Sequence, residues 1–400
     1  MTYTQHEKSK SATWKRTTPT LRDEARADAA YVDKDGRTRG PDREFCVPRA
    51  FASLSLLPEV REPALALFAE LGIPWHAGID GGPSNHLVSS QVQCVNALGQ
   101  MVHDPELVKR AFGELLGIDE VLEVEPGRAL TFEYIGPEDW FNESPGVERT
   151  RGAHCTSVDA AFLHRAHDGV VELVLVEWNY TESYRVRTPD PAKDAVRRAR
   201  YAAAVEDPLG PVRDDVLPFD LLLDEPFYQL VRQQLLAHAL EQHGVLGATR
   251  VRVLHISPKG NDAYQQSLAR PEHRALGRTV SEVWQRLLRV PDRFLSVDSA
   301  MFLDVDLTSR DYVLRHSDDV VWDLAGLLAA YEVDDPDGVE HALYAEHEFD
   351  GDLLVREEGV ELYLGSYGYP LDDPFAVSEL RERAETVWRE ENEAAEETEE

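Results

Sequence analysis

Cysteine is almost missing from this 400-residue chain: Cys46, Cys94 and Cys155 are too few, and odd in number, for a disulfide scaffold. No run approaches the roughly 18 apolar residues that a bilayer-spanning helix requires. The N-terminal MTYTQHEKSKSATWKR has charges but no apolar stretch of a secretory leader. A reducing, cytoplasmic compartment is therefore expected, with no membrane partner. Lysine is also scarce, supplying only seven of 41 basic residues, so positive charge is overwhelmingly arginine. Those 41 face 74 acidic residues, a net charge of −33. So acidic a protein stays soluble, and its summed field repels phosphate, which excludes a general nucleic-acid coat. An enzyme acting on nucleic acid would need a local basic patch. No GxSxG, GxxxxGK[ST] or GxGxxG motif is present, which disfavours α/β-hydrolase, P-loop and dinucleotide-binding readings.

Apolar residues make up 42% of the chain and aromatics 8%, enough for at least one full core and room for about two domains. Residues 1–45 are polar and charge-mixed and are expected to form a mostly disordered arm. Helical spacing begins after Pro58 and stops at Gly72; a glycine-rich loop (78–85) follows, and Ser89-Ser90 read as the cap of the next helix. A further helix is expected over 105–116, ending at Gly117. Strand patterns occupy 129–136, 157–164, 170–180 and 249–257, with helices at 191–205 and 225–244 before the last of them. The order predicts a mixed α/β or α+β core, a central β-sheet flanked by helices, over 46–270. Residues 271–390 read as a mainly helical extension, with helices at 279–289, 318–331, 338–347 and from Ala376, and a hairpin at 353–364. Residues 391–400 form an acidic tail.

The segment Asp159–Tyr184 carries the densest chemistry. Asp159 lies inside one apolar strand and Glu177 near the end of the next, although an unpaired buried carboxylate is costly. Facing the same way, the two offer hard oxygen ligands for Mg²⁺ or Mn²⁺. Strand alternation puts Glu177 and Asn179 on one face. A three-residue loop at His167–Gly169 would set Asp159 opposite Glu177, whereas a two-residue Asp168-Gly169 turn would set them on opposite faces. As ordinary strand-end charges the two acids would need no partner at all.

SVDAAFLHR followed by VELVLVEWNYTESY resembles the D…(D/E)xK core of the PD-(D/E)XK, restriction-endonuclease-like nucleases. It is most similar to a bacterial subfamily whose third strand reads E-x-K-Y-T-E. SSQVQCVNALGQM resembles that subfamily's first core helix, and HISPKGN its fourth strand and exit, so that the resemblance covers about 85–260. It implies a restriction-endonuclease-like fold and divalent-metal-dependent hydrolysis of nucleic acid, DNA above all, in defence or DNA processing. On this resemblance Asp159, Glu177 and the Trp178 carbonyl match the metal ligands, with Mg²⁺ or Mn²⁺ as cofactor. Glu133 is an accessory carboxylate, and Gln91 belongs to the core helix. The motif's lysine is replaced by Asn179, which can hydrogen-bond a water but brings no charge. Lys259 stands ready to take the lysine's place if the strand at 249–257 runs parallel to 170–180. The alternatives are that Asn179 suffices, or that the site is degenerate and the protein binds nucleic acid or protein without cutting.

Arg185, Arg187, Lys193, Arg197, Arg198 and Arg200 follow directly and form the expected DNA-backbone contact, or else a solvated helix face balanced by the acidic remainder. A role in contacting a basic protein through the acidic surface and tail is a third reading, and a homodimer remains open. His154, Cys155, Cys94 and His103 lack the paired spacing of a zinc site.

Overall fold

Helix boundaries in the first third follow the punctuation of the sequence. The computed structural model describes residues 2–317 apart from positions 19, 34 and 186, together with 321–322, 353–356 and 359–362. Helix α1 (Tyr3–Thr17) starts at a capping box: the Thr2 hydroxyl accepts from Gln5 N–H while the Gln5 side chain accepts from Thr2 N–H. This corrects the expectation of a disordered arm. Glu7, Ser11, Ala12, Trp14 and Lys15 are buried on α1, a mostly polar set that leaves no apolar stripe to read. Trp14 Nε1 donates to Asp311 Oδ1 at 2.8 Å, and Lys15 Nζ reaches Asp28 at 2.8 Å and the Cys46 carbonyl at 3.2 Å. A hairpin of β1 (Ala29–Val32) and β2 (Thr38–Arg43) follows.

Helix α2 (Pro58–Leu71) begins on Pro58, whose fixed φ suits the first turn, and stops where Gly72 takes φ +62°. In α3 (Ser90–Leu98) the Ser89 hydroxyl caps Val92 N–H, and in α4 (Pro105–Leu116) Asp104 caps Leu107 N–H at 2.9 Å. Gly117, at φ +64°, ends α4 where the sequence placed its end.

The central sheet is built from β3 (Ile118–Leu122), β4 (Leu130–Tyr134), β5 (Val158–Ala166) and β6 (Val171–Trp178). After α5 (Pro191–Val205) and α6 (Phe227–Gln242) the chain returns as β7 (Arg250–Ser257). Three short helices, α7 (Asp262–Gln265), α8 (Pro271–Leu276) and α9 (Val280–Leu287), lead to β8 (Phe294–Asp298). The order is β3-β5-β6-β7-β8, with β4 also on β5; β5 is antiparallel to its neighbours, while β6, β7 and β8 run parallel. Both faces are covered, which is why β6 reads as the unbroken apolar run LVLV. On one side Leu173 and Leu175 pack with Leu230, Val231 and Trp284. On the other Phe112 stacks on Phe162 at 4.8 Å, and Phe302 lies 5.3 Å from the Trp178 ring.

The expected core boundary at 270 is corrected, because β8 continues the ladder from Val253↔Phe294 to Ser257↔Asp298 and the compact unit runs Met1–Val313. The short FLSVD segment carries too little alternation to announce a strand. The second unit, Leu314–Glu400, contains β9 (Val321–Trp322), β10 (Leu353–Arg356) and β11 (Gly359–Leu362) in the antiparallel order β10-β11-β9. Strands β10 and β11 form the expected hairpin, while β9 is a strand inside the span 318–331 read as helix. The other helices expected in this unit and the acidic tail lie outside the described residues.

Candidate active site

The turn between β5 and β6 decides the site. Ala166 N–H bonds the Val170 carbonyl at 2.9 Å, leaving His167–Gly169 as a three-residue loop in which Gly169 adopts φ +80°. From Ala160↔Val176 the register carries Asp159 to the position opposite Glu177, on the same face. The neighbouring ladders extend the relation. Phe132↔Ala160 and Tyr134↔Val158 flank Glu133 and Asp159, Glu177 pairs with His255, and His255 pairs with Ser296. One transverse row, Glu133–Asp159–Glu177–His255–Ser296, therefore crosses β4 to β8. Glu133 has φ +49°, a left-handed residue within a strand whose register is unbroken from Phe132↔Ala160 to Tyr134↔Val158.

Each acid of the row is held. Asp159 Oδ2 accepts the Trp178 backbone N–H at 2.7 Å. Glu177, only 3% exposed, takes carboxamide N–H bonds from Gln229 and Gln233, four residues apart on α6. Glu133 accepts from Gln91 Nε2 at 3.1 Å and from the Ser157 hydroxyl at 2.5 Å, so Gln91 joins the site through Glu133. Asn179, 3% exposed, places Oδ1 2.8 Å from His255 Nε2. Glu182 Oε2 accepts the Tyr180 N–H at the exit of β6.

Burial and crowding of like charge dominate the electrostatics. Asp159 keeps an open side but is enclosed by protein at longer range; that enclosure, then the nearby Glu133 charge, pushes its carboxyl up to about 8. Burial, then Asp159, drives Glu177 well above the carboxylate range. Burial also raises Glu133, against the pull of its Ser157 and Gln91 hydrogen bonds. His255 is pushed down to about 4 by burial and is neutral at physiological pH. Two facing carboxylates that each resist ionisation are short of positive charge, which suits a hard divalent cation. Gln233 Oε1 is buried beside them without a hydrogen-bond partner among the described residues, another oxygen of the kind such a cation takes. The donor set therefore fits a cation at Asp159 and Glu177, supplemented by amide oxygens. Among the described residues no three His, Cys, Asp or Glu side chains converge on one point.

Lys259 is exposed just beyond β7, at the sheet end where Asn179 sits, and its backbone N–H bonds Asp298 Oδ1 at 3.1 Å. Among the described residues the side chain hydrogen-bonded to the Asn179 carboxamide is that of His255. The arginine segment departs from a row of free cations. Arg187 pairs with Asp194 at 3.0 Å and Asp224 at 3.2 Å; Arg198 pairs with Asp220 at 2.6 Å. Arg197 donates to the Leu223 carbonyl and lies over the Tyr228 ring, Arg200 donates to the Glu143 carbonyl, and Lys193 pairs with Asp190 at 3.4 Å. Arg185 is exposed. Asp220 and Asp224 lie some twenty residues beyond the segment, so counting charges within it could not reveal these pairings. Sequence reasoning also missed Gln229, Gln233, His255 and Ser296. The QLVRQ spacing on α6 was the available signal for the first two; the others needed the strand register.

A mixed sheet covered by helices on both faces, with an Asp and a Glu facing across its antiparallel pair, defines a restriction-endonuclease-like α/β protein. The chain matches the model of the family REase-ARP, restriction endonuclease associating with ARP, over residues 8–315, and belongs to that family. No curated protein and no solved structure matches it.

Proposed function

We propose that the protein is a divalent-metal-dependent nuclease that hydrolyses DNA phosphodiester bonds in defence or DNA processing. The observation that carries this reading is the cross-strand pair Asp159–Glu177, two enclosed acids with raised proton affinity at the positions of the motif carboxylates. Asp159, Glu177 and the Trp178 carbonyl would hold Mg²⁺ or Mn²⁺. A cation there supplies Lewis-acid stabilisation of negative charge on the phosphate oxygens. Asn179 can orient a water through its carboxamide N–H but cannot accept a proton from it. Lys259, at the same sheet end, is the cationic alternative for that role. Glu133, tied to Gln91, adds negative charge beside Asp159. Arg185 and Lys193, both exposed, are the segment's foremost contacts for the DNA backbone, with Arg198 beside them; Arg187, Arg197 and Arg200 shape the scaffold beneath.

The second reading is a nuclease fold with a degenerate site that binds without cutting. It is favoured by Asn179 in the lysine position and by the two glutamine side chains that already occupy the Glu177 oxygens. Labelled single- and double-stranded DNA incubated with Mg²⁺, Mn²⁺ or chelator separates the two, alongside Asp159→Ala and Glu177→Ala. The nuclease reading expects metal-dependent cleavage that either substitution lowers by at least about 100-fold while the fold survives. Undiminished cleavage in either variant sinks it; DNA binding without cleavage under any metal supports the degenerate site.

A further inference from the structure

One chain of polar contacts leads away from the carboxylates into the sheet. His255 lies on β7, 1% exposed, its ring stacked 5.0 Å from Tyr264 and 6.1 Å from Phe294. Its Nε2 is 2.8 Å from Asn179 Oδ1, and its Nδ1 is 3.2 Å from Ser296 Oγ. Ser296 Oγ in turn accepts from the Ser281 hydroxyl at 3.1 Å. With Asn179 Oδ1 on the imidazole, the proton order is His255 Nε2–H to Asn179 Oδ1 and Ser296 O–H to His255 Nδ1, while the Ser281 hydroxyl has Ser296 Oγ at 3.1 Å and Gln265 Oε1 at 3.3 Å as acceptors.

Building on the nuclease reading, we propose that His255 is a positioning residue, which fixes the Asn179 carboxamide so that Nδ2 faces the Asp159–Glu177 side and presents an N–H donor where the motif lysine would present an ammonium group. A carboxamide is nearly symmetric in shape, so without a selective partner its oxygen and nitrogen exchange places. The wrong orientation would turn a lone pair toward a site already rich in negative charge. The backbone is fixed independently, with Asn179 N–H on the Ile256 carbonyl at 2.9 Å, so the carboxamide orientation is the remaining freedom. Among the described residues Nδ2 has no hydrogen bond, which leaves it available to water or phosphate oxygen. A neutral donor compensates for missing charge only when aimed before the reaction begins, because preorganisation is what makes a fixed dipole effective.

Two measurements on the full-length protein test this. The first is the ¹H–¹⁵N two-bond spectrum of histidine-labelled protein at pH 7, with the His255 signal assigned by its loss in His255→Gln. The expected pattern is the neutral Nε2–H tautomer; the Nδ1–H tautomer or an imidazolium overturns the assignment whether or not the protein cuts DNA. The second is cleavage kinetics with Mg²⁺. His255→Phe should lower kcat about 10- to 100-fold with KM little changed, as loss of a supporting contact does. His255→Gln, which can keep a donor near the Nε2 position, should recover to within about threefold of the parent. Equal loss in both variants, with thermal melts showing both folded, overturns the proposal, and so does no loss in either. If the parent protein itself cuts nothing, the nuclease reading fails while the tautomer still decides the orientation of Asn179.

Discussion

The peptide that leaves Glu177 holds Asp159: the Trp178 N–H points at Asp159 Oδ2 from 2.7 Å. The two acids are thereby joined through main chain as well as by facing each other, and neither strand end can shift without disturbing the other carboxylate. The Trp178 indole extends the tie to α3 by donating to Gln93 Oε1 at 2.9 Å. This coupling makes the pair a pre-set feature of the sheet, and its consequences are measurable in stability.

Stability should depend on pH in the direction opposite to that of a salt-bridged acid. The Asp159 carboxyl is raised to about 8 by burial and by Glu133, so between the ordinary carboxylate range and about 8 the folded state holds a proton that the unfolded chain has released. That contribution is fully present below the unfolded value and is lost as pH rises toward the folded one. The Tm of metal-free protein should fall from pH 5 to 8, and Mg²⁺ should restore more of it at pH 8 than at pH 5. Scanning fluorimetry with chelator and with Mg²⁺ checks this, and Asp159→Asn should flatten the slope. A Tm that climbs over this range in chelator contradicts the raised acid.

The glutamines of α6 should matter for metal affinity. Gln233 donates to Glu177 and keeps a buried oxygen without a partner among the described residues, so Gln233→Leu loosens the carboxylate and removes that oxygen. Isothermal titration with Mn²⁺ should show affinity reduced by about tenfold, the usual effect of losing a supporting contact. Unaltered affinity would mean that Gln233 only packs.

Arginines of one segment should separate into two behaviours. Arg187 lies between Asp194 and Asp224, and Asp224 is 1% exposed, so Arg187→Ala should lower Tm and leave DNA affinity within about twofold. Arg185→Glu should leave Tm unchanged and weaken binding several-fold, by about threefold to tenfold at low salt. Fluorescence anisotropy at two salt concentrations, beside thermal melts, distinguishes these outcomes; the reverse pattern would place the DNA elsewhere.

The N-terminal helix should be part of the fold's stability. Trp14 is 4% exposed and donates to Asp311, which also accepts from Thr18 and Thr20. Trp14→Ala should cost about 3–5 kcal/mol in denaturant unfolding, the range for a buried aromatic. A cost below about 1 kcal/mol, the range of a surface position, would mean that α1 is peripheral.

Much of the centre was legible because its signals are local. Alternation marked β4, apolar runs bounded by turn residues marked β5 and β6, and Asp104-Pro105 with Gly117 bounded α4. The Asp159–Glu177 relation hung on one loop length, and the sequence offered both lengths without choosing between them. The remainder was hidden for physical reasons. Helix α1 buries mostly polar side chains, some on distant partners, as Trp14 on Asp311, so it has no apolar stripe. Strand β8 has only five residues and borrows its order from β7. Ion pairs such as Arg198–Asp220 cancel charges that look free when a segment is read alone. His255 enters through parallel register, which no window along the chain displays.

The transverse row has a consequence for how the protein is made. Asp159 leaves the ribosome 137 residues ahead of Ser296, the last member of the row, and Trp14 waits still longer for Asp311. At ordinary elongation rates that interval is roughly 7–27 s. For most of it the nascent chain carries both acids but lacks β8 and the closing contact of α1. The transverse row is therefore complete only once β8 has been made, well after both of its facing acids.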